Sequence, residues 1–211
     1  MNLSLTALKA YLSKPLTGHA SHLKLAPPTR RTELVAQIAP PLDARKSAVM
    51  ILLFHENEKL KVVFIRRSLY VGIHSGQIAF PGGRYEETDP SIEYTAFREI
   101  EEEIGVSKDQ IELLGQLSDI YVPPSNFLIS IFVGYMAQKP MYKPDEREVA
   151  EVIEVNFDEL LEPNAIGQKS FYVPSANQSF EAPCYQTTQC DIWGASAMVL
   201  SELIDMLTNS H

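Results

Sequence analysis

The sequence is poor in cysteine and in long apolar runs, and each shortage excludes a class of protein. Cys184 and Cys190 are the only cysteines among 211 residues. Two thiols cannot build the disulfide framework of a small secreted domain, and no cluster of His or Cys gives them metal-ligand spacing. We therefore expect two free thiols in a reducing, cytoplasmic setting. The longest apolar run, AVMILLF (48–54), suits a buried strand and is far too short to cross a bilayer.

Basic residues are also in deficit, with 18 against 27 acidic residues and a formal net charge of −9. Nucleic acids and anionic membranes bind to basic patches, so neither is an expected partner. The chain opens without a basic segment followed by an apolar stretch, and we expect no export. A phosphate-bearing substrate would need metal ions and a few placed cations before it could approach so acidic a protein.

Two common catalytic motifs are missing as well. The sequence contains neither a Gly-x-Ser-x-Gly turn nor a Gly-x-Gly-x-x-Gly loop. Catalysis by a serine nucleophile on such a turn and dinucleotide binding on such a loop are therefore not supported. Internal repeats and low-complexity tracts are also absent, so the chain is expected to fold around an ordinary globular core.

Apolar patterning predicts strands that come in hairpins, with two long helices far apart in the chain. The predicted strands cover 47–54, 61–67, 76–80, 111–122, 127–137 and 148–155, with a second hairpin formed by 170–173 and 180–187. The predicted helices cover 3–13, 90–104 and 192–208. This order indicates an α+β fold with a mixed β-sheet sandwiched between helices. Residues 1–46 are expected to form an N-terminal helix and arm that pack on a main domain of residues 47–211.

The stretch FREIEEEIGV (97–106) puts four glutamates into five positions, although like charges three and four residues apart on a helix repel. On a helical projection an apolar stripe faces the sheet. Its members are Ile92, Ala96, Phe97, Ile100 and Ile104. Beside the stripe lies a carboxylate cluster, Glu99, Glu102 and Glu103. Glu101 points elsewhere, and Arg98 stands close enough to hold carboxylates in place. Three oxygen ligands on adjacent turns suit Mg²⁺ or Mn²⁺.

An acidic helix face is often merely solvated, and the surrounding residues decide between that interpretation and a metal site. Asp89 is expected to cap the helix N-terminus, with Pro90 at the first helical position and Gly105 just past the end. Upstream, FPGG (80–83) predicts a tight exit from a strand, where backbone carbonyls can approach a ligand closely. A strand, a Gly-Gly turn, a loop and a glutamate helix together favour the metal site.

The segment 83–106 resembles the Nudix box, whose form is Gly-x5-Glu-x7-Arg-Glu-hydrophobic-x-Glu-Glu-x-Gly-hydrophobic. The second half of the box is matched by Arg98, Glu99, Ile100, Glu102, Glu103, Gly105 and Val106. In the first half the acidic position is Asp89, and eight residues separate it from Arg98 in place of seven. We expect the longer loop to be tolerated because the predicted ligands lie on the helix.

Two further stretches resemble the branch of Nudix hydrolases that acts on coenzyme A, in which the longer loop is also familiar. In the first, RRSLYVGIHSGQIAFPGG (66–83), the matching residues are Arg67, Ser68, Gly76, Phe80, Pro81, Gly82 and Gly83. The second is IWGASAMVL (192–200). The chain has Gly72 where the branch has a second arginine, so we expect weaker selectivity for the 3′-phosphate of coenzyme A. The resemblance covers residues 47–205.

The resemblance also implies which residues form the site. The expected metal ligands, for Mg²⁺ or Mn²⁺, are Glu99, Glu102, Glu103 and the carbonyl of Gly83. The expected catalytic residues are Arg98, Glu99, Glu102, Glu103 and Glu148. Family members often use a general base from a loop after the box, where Glu148 and Glu151 are the candidates. Both residues are explained equally well as solvated residues at a strand edge. The expected contacts to phosphate or to the pantetheine arm are Arg67, Ser68, His74 and Gln77.

Three functions are compatible with these features. The first is metal-dependent hydrolysis of coenzyme A to adenosine 3′,5′-bisphosphate and 4′-phosphopantetheine. The second is the same chemistry on another nucleoside diphosphate derivative such as ADP-ribose. The third is a non-catalytic module that binds a nucleotide. The intact Arg-Glu-x-x-Glu-Glu set argues against this third function, because a binding module does not need every metal ligand. A small nucleoside diphosphate is the expected partner, and a homodimer is compatible with the sequence.

Overall fold

The fold is taken from a computed structural model, which describes residues 3–36, 39–70, 72–173 and 176–208. Its α-helices are α1 (Leu5–Leu12), α2 (Gly18–His22), α3 (Pro28–Val35), α4 (Ile92–Ile104) and α5 (Gly194–Thr208). Its strands are β1 (Arg45–Glu56), β2 (Lys59–Arg67), β3 (Ile78–Ala79), β4 (Gly82–Arg84), β5 (Glu112–Gln116), β6 (Ile120–Val122), β7 (Phe127–Met136), β8 (Val149–Asn156), β9 (Ile166–Val173), β10 (Gln178–Gln186) and β11 (Asp191–Trp193).

The main sheet is built around β1, which carries the long apolar run. β1 lies parallel to β7 and antiparallel to β2 and β4, so the sheet is mixed. The β1–β2 hairpin turns at Asn57 and Glu58, whose positive φ angles of 50° and 64° are those of a two-residue turn that matches the strand twist. Strands β1 to β8 belong to this sheet, whereas β9, β10 and β11 form a separate antiparallel sheet.

Alternate residues of β1 face opposite layers of helices. Ile51 and Leu53 belong to a core shared with α5, whereas Met50 and Leu52 belong to a core shared with α4. The predicted apolar stripe of α4 provides four of the buried residues of this second core: Ala96, Phe97, Ile100 and Ile104. Helices therefore cover both faces of the sheet. This arrangement confirms the predicted α+β class with a mixed sheet sandwiched between helices.

The N-terminal segment contains three helices, where the sequence predicted one helix followed by an arm. Buried leucines from this segment, Leu8, Leu12, Leu25 and Leu34, join the core on the α5 side of the sheet. α2 escaped prediction because it is five residues long, and α3 because its mostly polar sequence, PTRRTELV, buries Leu34 alone and shows no apolar period. The division into residues 1–46 and 47–211 stays a prediction.

A buried polar network ties α2 to α5 and to the main sheet. The carboxylate of Glu202 is fully buried and accepts hydrogen bonds from the Gly18 N–H at 2.9 Å and from Ser118 Oγ at 2.7 Å. His22 Nε2 lies 2.9 Å from the same carboxylate and is almost completely buried. Burial raises the pKa of Glu202. The hydrogen bonds from His22 and Ser118 lower the pKa by a larger amount, so it lies below its ordinary value.

Several predicted elements have different bounds in the structure. The strand predicted over 111–122 is two strands, β5 and β6, because the ladder with β7 is interrupted after Leu117, where Ser118 turns to Glu202. The strand predicted over 76–80 is reduced to the two residues of β3. The helix predicted from residue 192 begins at Gly194, since Ile192 and Trp193 pair with β10 as part of β11.

The structure also describes the length and apolar character of the helices and the state of the two cysteines. Among the described helices, none combines the length and the apolar character that a membrane crossing requires. Cys184 is buried, Cys190 is half-buried, and both are free thiols, as predicted. Burial raises the pKa of each thiol, which disfavours the reactive thiolate.

Candidate active site

Gly82 and Gly83 bring the backbone of β4 against buried carboxylates. Gly82 has a φ of 155°, and a Cβ there would lie within 3.0 Å of the backbone of Ala48 and Val49 on β1. A Cβ on Gly83 would fall within 3.0 Å of the carboxylate of Glu99. Only glycine fits these two positions, which is the physical reason for the predicted Gly-Gly turn.

The two ends of α4 differ in how well the sequence predicted them. The N-cap is Ser91, whose hydroxyl accepts a hydrogen bond from the Tyr94 N–H at 3.1 Å. The prediction of Asp89 as the cap and Pro90 as the first helical residue was therefore wrong. Gly105 ends the helix as predicted, with the left-handed φ of 72° that closes many helices.

Asp89 instead anchors the arginine of the motif. Its buried carboxylate accepts hydrogen bonds from Arg98 Nε at 2.9 Å, from Thr95 Oγ1 at 2.8 Å and from the Glu86 N–H at 3.0 Å. The hydrogen bond from Arg98 holds the pKa of Asp89 down to about 2, against an ordinary 3.8, and burial opposes this shift. The longer loop between Asp89 and Arg98 thus still brings the carboxylate to the guanidinium.

We expect Asp89→Asn to destabilise the protein by about 1–3 kcal/mol near neutral pH, because Arg98 then loses a charged partner in a buried place. The native pKa of Asp89 is lowered, so the carboxylate stabilises the fold above its ordinary pKa of 3.8, and this contribution is lost as pH falls towards about 2. The difference between variant and wild type should shrink over that range. Urea unfolding at several pH values measures it, with the exposed neighbour Glu87→Gln as the control. A difference that does not change with pH would contradict the assignment.

The guanidinium of Arg98 links this loop to the carboxylates of α4. Its Nη1 lies 2.9 Å from Glu99 Oε1 and 2.9 Å from Glu102 Oε2. Its Nη2 donates a hydrogen bond to the Arg84 carbonyl at 2.9 Å. The hydrogen bonds to Asp89 raise the pKa of Arg98, so the group stays charged. Arg98 therefore positions carboxylates, as its place in the sequence predicted.

Glu99 and Glu103 are buried, whereas Glu102 is exposed at the edge of the same cluster. Glu103 Oε2 accepts a hydrogen bond from the Gly82 N–H at 2.7 Å, and Glu103 Oε1 lies 3.3 Å from Arg67 Nη1. Burial raises the pKa of Glu103 to about 8, and it also raises the pKa of Glu99. Such shifts show that the nearby cations only partly compensate these two carboxylates in the folded protein.

Glu101 provides a matched test of the helical register, because it is exposed and, within the described chain, its side chain makes no hydrogen bond or ion pair. We expect Glu101→Gln to leave kcat and KM within about twofold of the wild type, since the variant alters one solvated carboxylate outside the cluster. Steady-state kinetics on the substrate of the wild type measure this. A loss of kcat as large as that of a Glu102 variant would show that the carboxylate cluster lies on a different face of the helix.

The donor set fits a hard divalent cation in its chemistry. Glu99, Glu102, Glu103 and the Gly83 carbonyl offer only oxygen atoms, which Mg²⁺ and Mn²⁺ prefer, and two of the carboxylates are buried with raised pKa values. Throughout residues 3–36, 39–70, 72–173 and 176–208, no three acidic, His or Cys side chains converge in a metal-holding geometry. The carboxylates face Arg98 and Arg67 instead. The metal ligands stay a prediction.

Arg67 brings a cation to the edge of the carboxylate cluster. It ends β2, and the contact between its Nη1 and Glu103 ties that strand to α4. Its Nε atom is buried and has no hydrogen-bond partner among the described residues. A buried guanidinium N–H without a partner is costly unless an anion or a water accepts from it. This orphaned donor makes Arg67 a candidate for anion binding beside Glu103, and its role toward substrate stays a prediction.

The other predicted substrate residues lie on the loop that follows β2. Ser68 is held by two contacts to the segment before β8, since its N–H donates to the Glu148 carbonyl at 2.9 Å and its Oγ donates to the Glu146 carbonyl at 3.1 Å. His74 Nδ1 and Gln77 Oε1 lie 3.0 Å apart. Burial lowers the pKa of His74, which favours the neutral ring. Their roles toward substrate stay predictions.

The two candidate bases, Glu148 and Glu151, differ in their surroundings. Glu151 pairs with Arg66 at 3.0 Å, both side chains being largely exposed on neighbouring strands. Glu148 is exposed, and its charge contributes to the raised pKa of Glu99 and of Glu103. Only Glu148 among these two therefore acts electrostatically on the carboxylate cluster. This electrostatic effect favours Glu148 over Glu151, and the catalytic role of Glu148 stays a prediction.

A mixed sheet between helices, with a Gly-Gly turn beside a carboxylate-bearing helix, fits hydrolases that cleave phosphorus-containing anhydrides. A model of the NUDIX domain matches residues 44–173. The chain therefore belongs to the Nudix family of hydrolases, as the sequence predicted. Members of this family generally use divalent metal ions and act on small nucleoside diphosphate substrates.

Two proteins with similar sequences and one solved structure show what this chain resembles within the family. The chain is 31% identical over 179 residues to an uncharacterized Nudix hydrolase, NudL, of Pectobacterium atrosepticum, covering 81% of this chain and 87% of that protein. It is 30% identical over 145 residues to the peroxisomal coenzyme A diphosphatase NUDT7 of Mus musculus, covering 69% of this chain and 60% of the mouse protein. A crystal structure of a MutT/nudix family protein from Enterococcus faecalis shares the fold, with a TM-score of 0.53 at 18% identity, covering 96% of this chain and 73% of that one.

Proposed function

We propose that this chain hydrolyses the diphosphate bond of coenzyme A or its derivatives, in a reaction that depends on Mg²⁺ or Mn²⁺. The products are adenosine 3′,5′-bisphosphate and 4′-phosphopantetheine. The observation that carries the proposal is the buried, unpartnered Nε of Arg67 beside Glu103, because it places an anion-seeking donor next to the carboxylate cluster. The likeness to a mouse coenzyme A diphosphatase supports the choice of substrate.

In this proposal the cation is held by Glu99, Glu102, Glu103 and the Gly83 carbonyl. A divalent cation bound there would neutralise the charge of the diphosphate and acidify a bound water. The protein supplies the arrangement of these oxygens: Arg98 fixes Glu99 and Glu102 from one side, and the Gly82 N–H fixes Glu103 from the other. Arg67, whose side chain is 25% exposed, would bind a phosphate oxygen through its guanidinium.

Glu148 is the proposed general base. Its carboxylate is exposed, beside the loop that carries Ser68, and would accept the proton of the attacking water. Ser68, His74 and Gln77 would contact the phosphates or the pantetheine arm from that same loop. The neutral His74 ring, already hydrogen-bonded to Gln77, would serve as a fixed hydrogen-bonding group and not as a cation. A cytoplasmic location and a homodimer remain predictions of the sequence alone.

A substrate panel with Mg²⁺ and with Mn²⁺ tests the proposal, with both products identified by mass. Coenzyme A, an acyl-coenzyme A, dephospho-coenzyme A and ADP-ribose form the panel. We expect the largest kcat/KM for a coenzyme A species, with cleavage between the two phosphates. Turnover of ADP-ribose with none of any coenzyme A species would contradict the proposed substrate and favour the second function considered from the sequence.

A further inference from the structure

The ring of Tyr70 occupies the place where residue 72 would carry a side chain. A Cβ built on Gly72 would collide with ring atoms Cε2 and Cδ2 of Tyr70, and it would lie 3.0 Å from Cζ. No side chain larger than a hydrogen atom fits at position 72 while the ring stays there. The glycine that replaces the branch's arginine is therefore a condition for the position of this tyrosine.

The backbone of Tyr70 is held by its own N–H and by contacts of the residues before it. Its N–H donates to Ser75 Oγ at 3.0 Å, and Ser75 is buried. Two residues earlier, Ser68 makes its two hydrogen bonds to the segment before β8. The tyrosine thus stands three residues after Arg67, at most about 10 Å of chain from it. This short stretch of chain keeps the backbone of Tyr70 within the span of a nucleotide from Arg67.

The ring itself is only half covered. Tyr70 is 48% exposed, and the neighbouring Leu69 is 86% exposed. Within the described part of the chain, the ring pairs of Phe64 with Phe80 and of Phe171 with Trp193 are stacked, but Tyr70 takes part in no ring or cation contact. An exposed aromatic face on a fixed backbone suits stacking with a planar base, because ordering it costs little additional entropy.

We propose that Tyr70 is a specificity-determining residue that stacks on the purine base of the substrate, with Gly72 present to make room for the ring. This inference rests on the proposed function, since it assumes an adenosine-containing diphosphate whose phosphate meets Arg67. It also changes the expectation for position 72. Base stacking by Tyr70 substitutes for phosphate binding by an arginine, so selectivity moves from the 3′-phosphate to the base.

The test compares two probes that the enzyme cannot turn over, adenosine 5′-monophosphate and ribose 5-phosphate, which differ by the base. Binding to the full chain with Mg²⁺ is measured by calorimetry. Tyr70→Ala should weaken binding of the adenosine probe by about tenfold and leave the ribose probe unchanged, whereas Tyr70→Phe should bind both like the wild type. Gly72→Ala should lose the same affinity by displacing the ring. Leu69→Ala, which removes exposed apolar surface from the same loop, is the matched control and should lose nothing.

Several outcomes would overturn the inference. They are wild-type affinity for the adenosine probe in Tyr70→Ala, an equal loss in Leu69→Ala, or a wild type that binds the two probes equally well. Failure of the proposed substrate is a separate result, because turnover of ADP-ribose in place of coenzyme A leaves the base-stacking comparison intact. Hydrolysis of coenzyme A with an unchanged KM in Tyr70→Ala would in turn retain the proposed function and overturn the stacking role.

Discussion

Glu103→Gln is expected to lower kcat by about 10²–10³-fold or more while the fold survives, because lost electrostatic stabilisation has effects of that size. The amide has the shape of the carboxylate, and its oxygen can still accept the hydrogen bond that the Gly82 N–H now donates at 2.7 Å. What disappears is the carboxyl group that would bind the cation in its ionised form and that lies 3.3 Å from Arg67. Steady-state kinetics at saturating Mg²⁺ and thermal unfolding of the same preparations measure the two halves of this prediction.

Glu102→Gln should show a comparable loss with even less effect on stability, because Glu102 is exposed and its ion pair with Arg98 lies at the surface. Glu101→Gln, one position earlier on the same helix, is the control for added amide and lost charge. Unchanged turnover in both the Glu102 and the Glu103 variants at saturating metal would contradict the assignment of the carboxylate cluster.

Glu202→Ala is expected to destabilise the protein by about 3–5 kcal/mol, because it removes a fully buried carboxylate that accepts hydrogen bonds from several buried donors. His22 would then lose its carboxylate, and the Gly18 N–H and the Ser118 hydroxyl would lose their acceptor. Each buried donor left without an acceptor adds to the cost. Chemical denaturation monitored by circular dichroism measures the change as a lower midpoint.

Glu181→Ala is the matched control, since Glu181 is an exposed glutamate on β10 and its loss should change stability by no more than about 0.5 kcal/mol. A small effect of Glu202→Ala, similar to that of the control, would mean that the contact between α2 and α5 contributes little to the fold. A large effect would show that the N-terminal helices stabilise the domain whose active site lies on the other face of the sheet.

Much of the fold follows from patterns that a sequence displays directly. The apolar run of β1 predicted a buried strand, and the stripe of α4 predicted which side of that helix is buried, because the 3.6-residue period depends only on helix geometry. The Gly-Gly turn was predicted because glycine allows a close approach of the backbone. In the structure, neither position 82 nor position 83 has room for a Cβ. The glutamate spacing predicted a carboxylate cluster; the structure buries Glu99 and Glu103 and leaves Glu102 exposed, and the metal ligands stay a prediction.

Other features depend on contacts between residues far apart in the chain, and no local pattern predicts them. Asp89 looked like a helix cap, but its side chain turns to Arg98, nine residues further on, and Ser91 takes the cap. Its place as the acidic position of the Nudix box was the one available signal. The break between β5 and β6 arises from the contact of Ser118 with Glu202. Likewise, the ring of Tyr70 fills the space that a side chain at position 72 would occupy.

The most direct measurement of the central claim is the mass of the products when coenzyme A is incubated with Mg²⁺ and the wild type, with Glu103→Gln run beside it. We expect adenosine 3′,5′-bisphosphate and 4′-phosphopantetheine in equal amounts from the wild type, and almost none of either from the variant. Intact coenzyme A in the wild-type reaction, or equal product from both proteins, would contradict it.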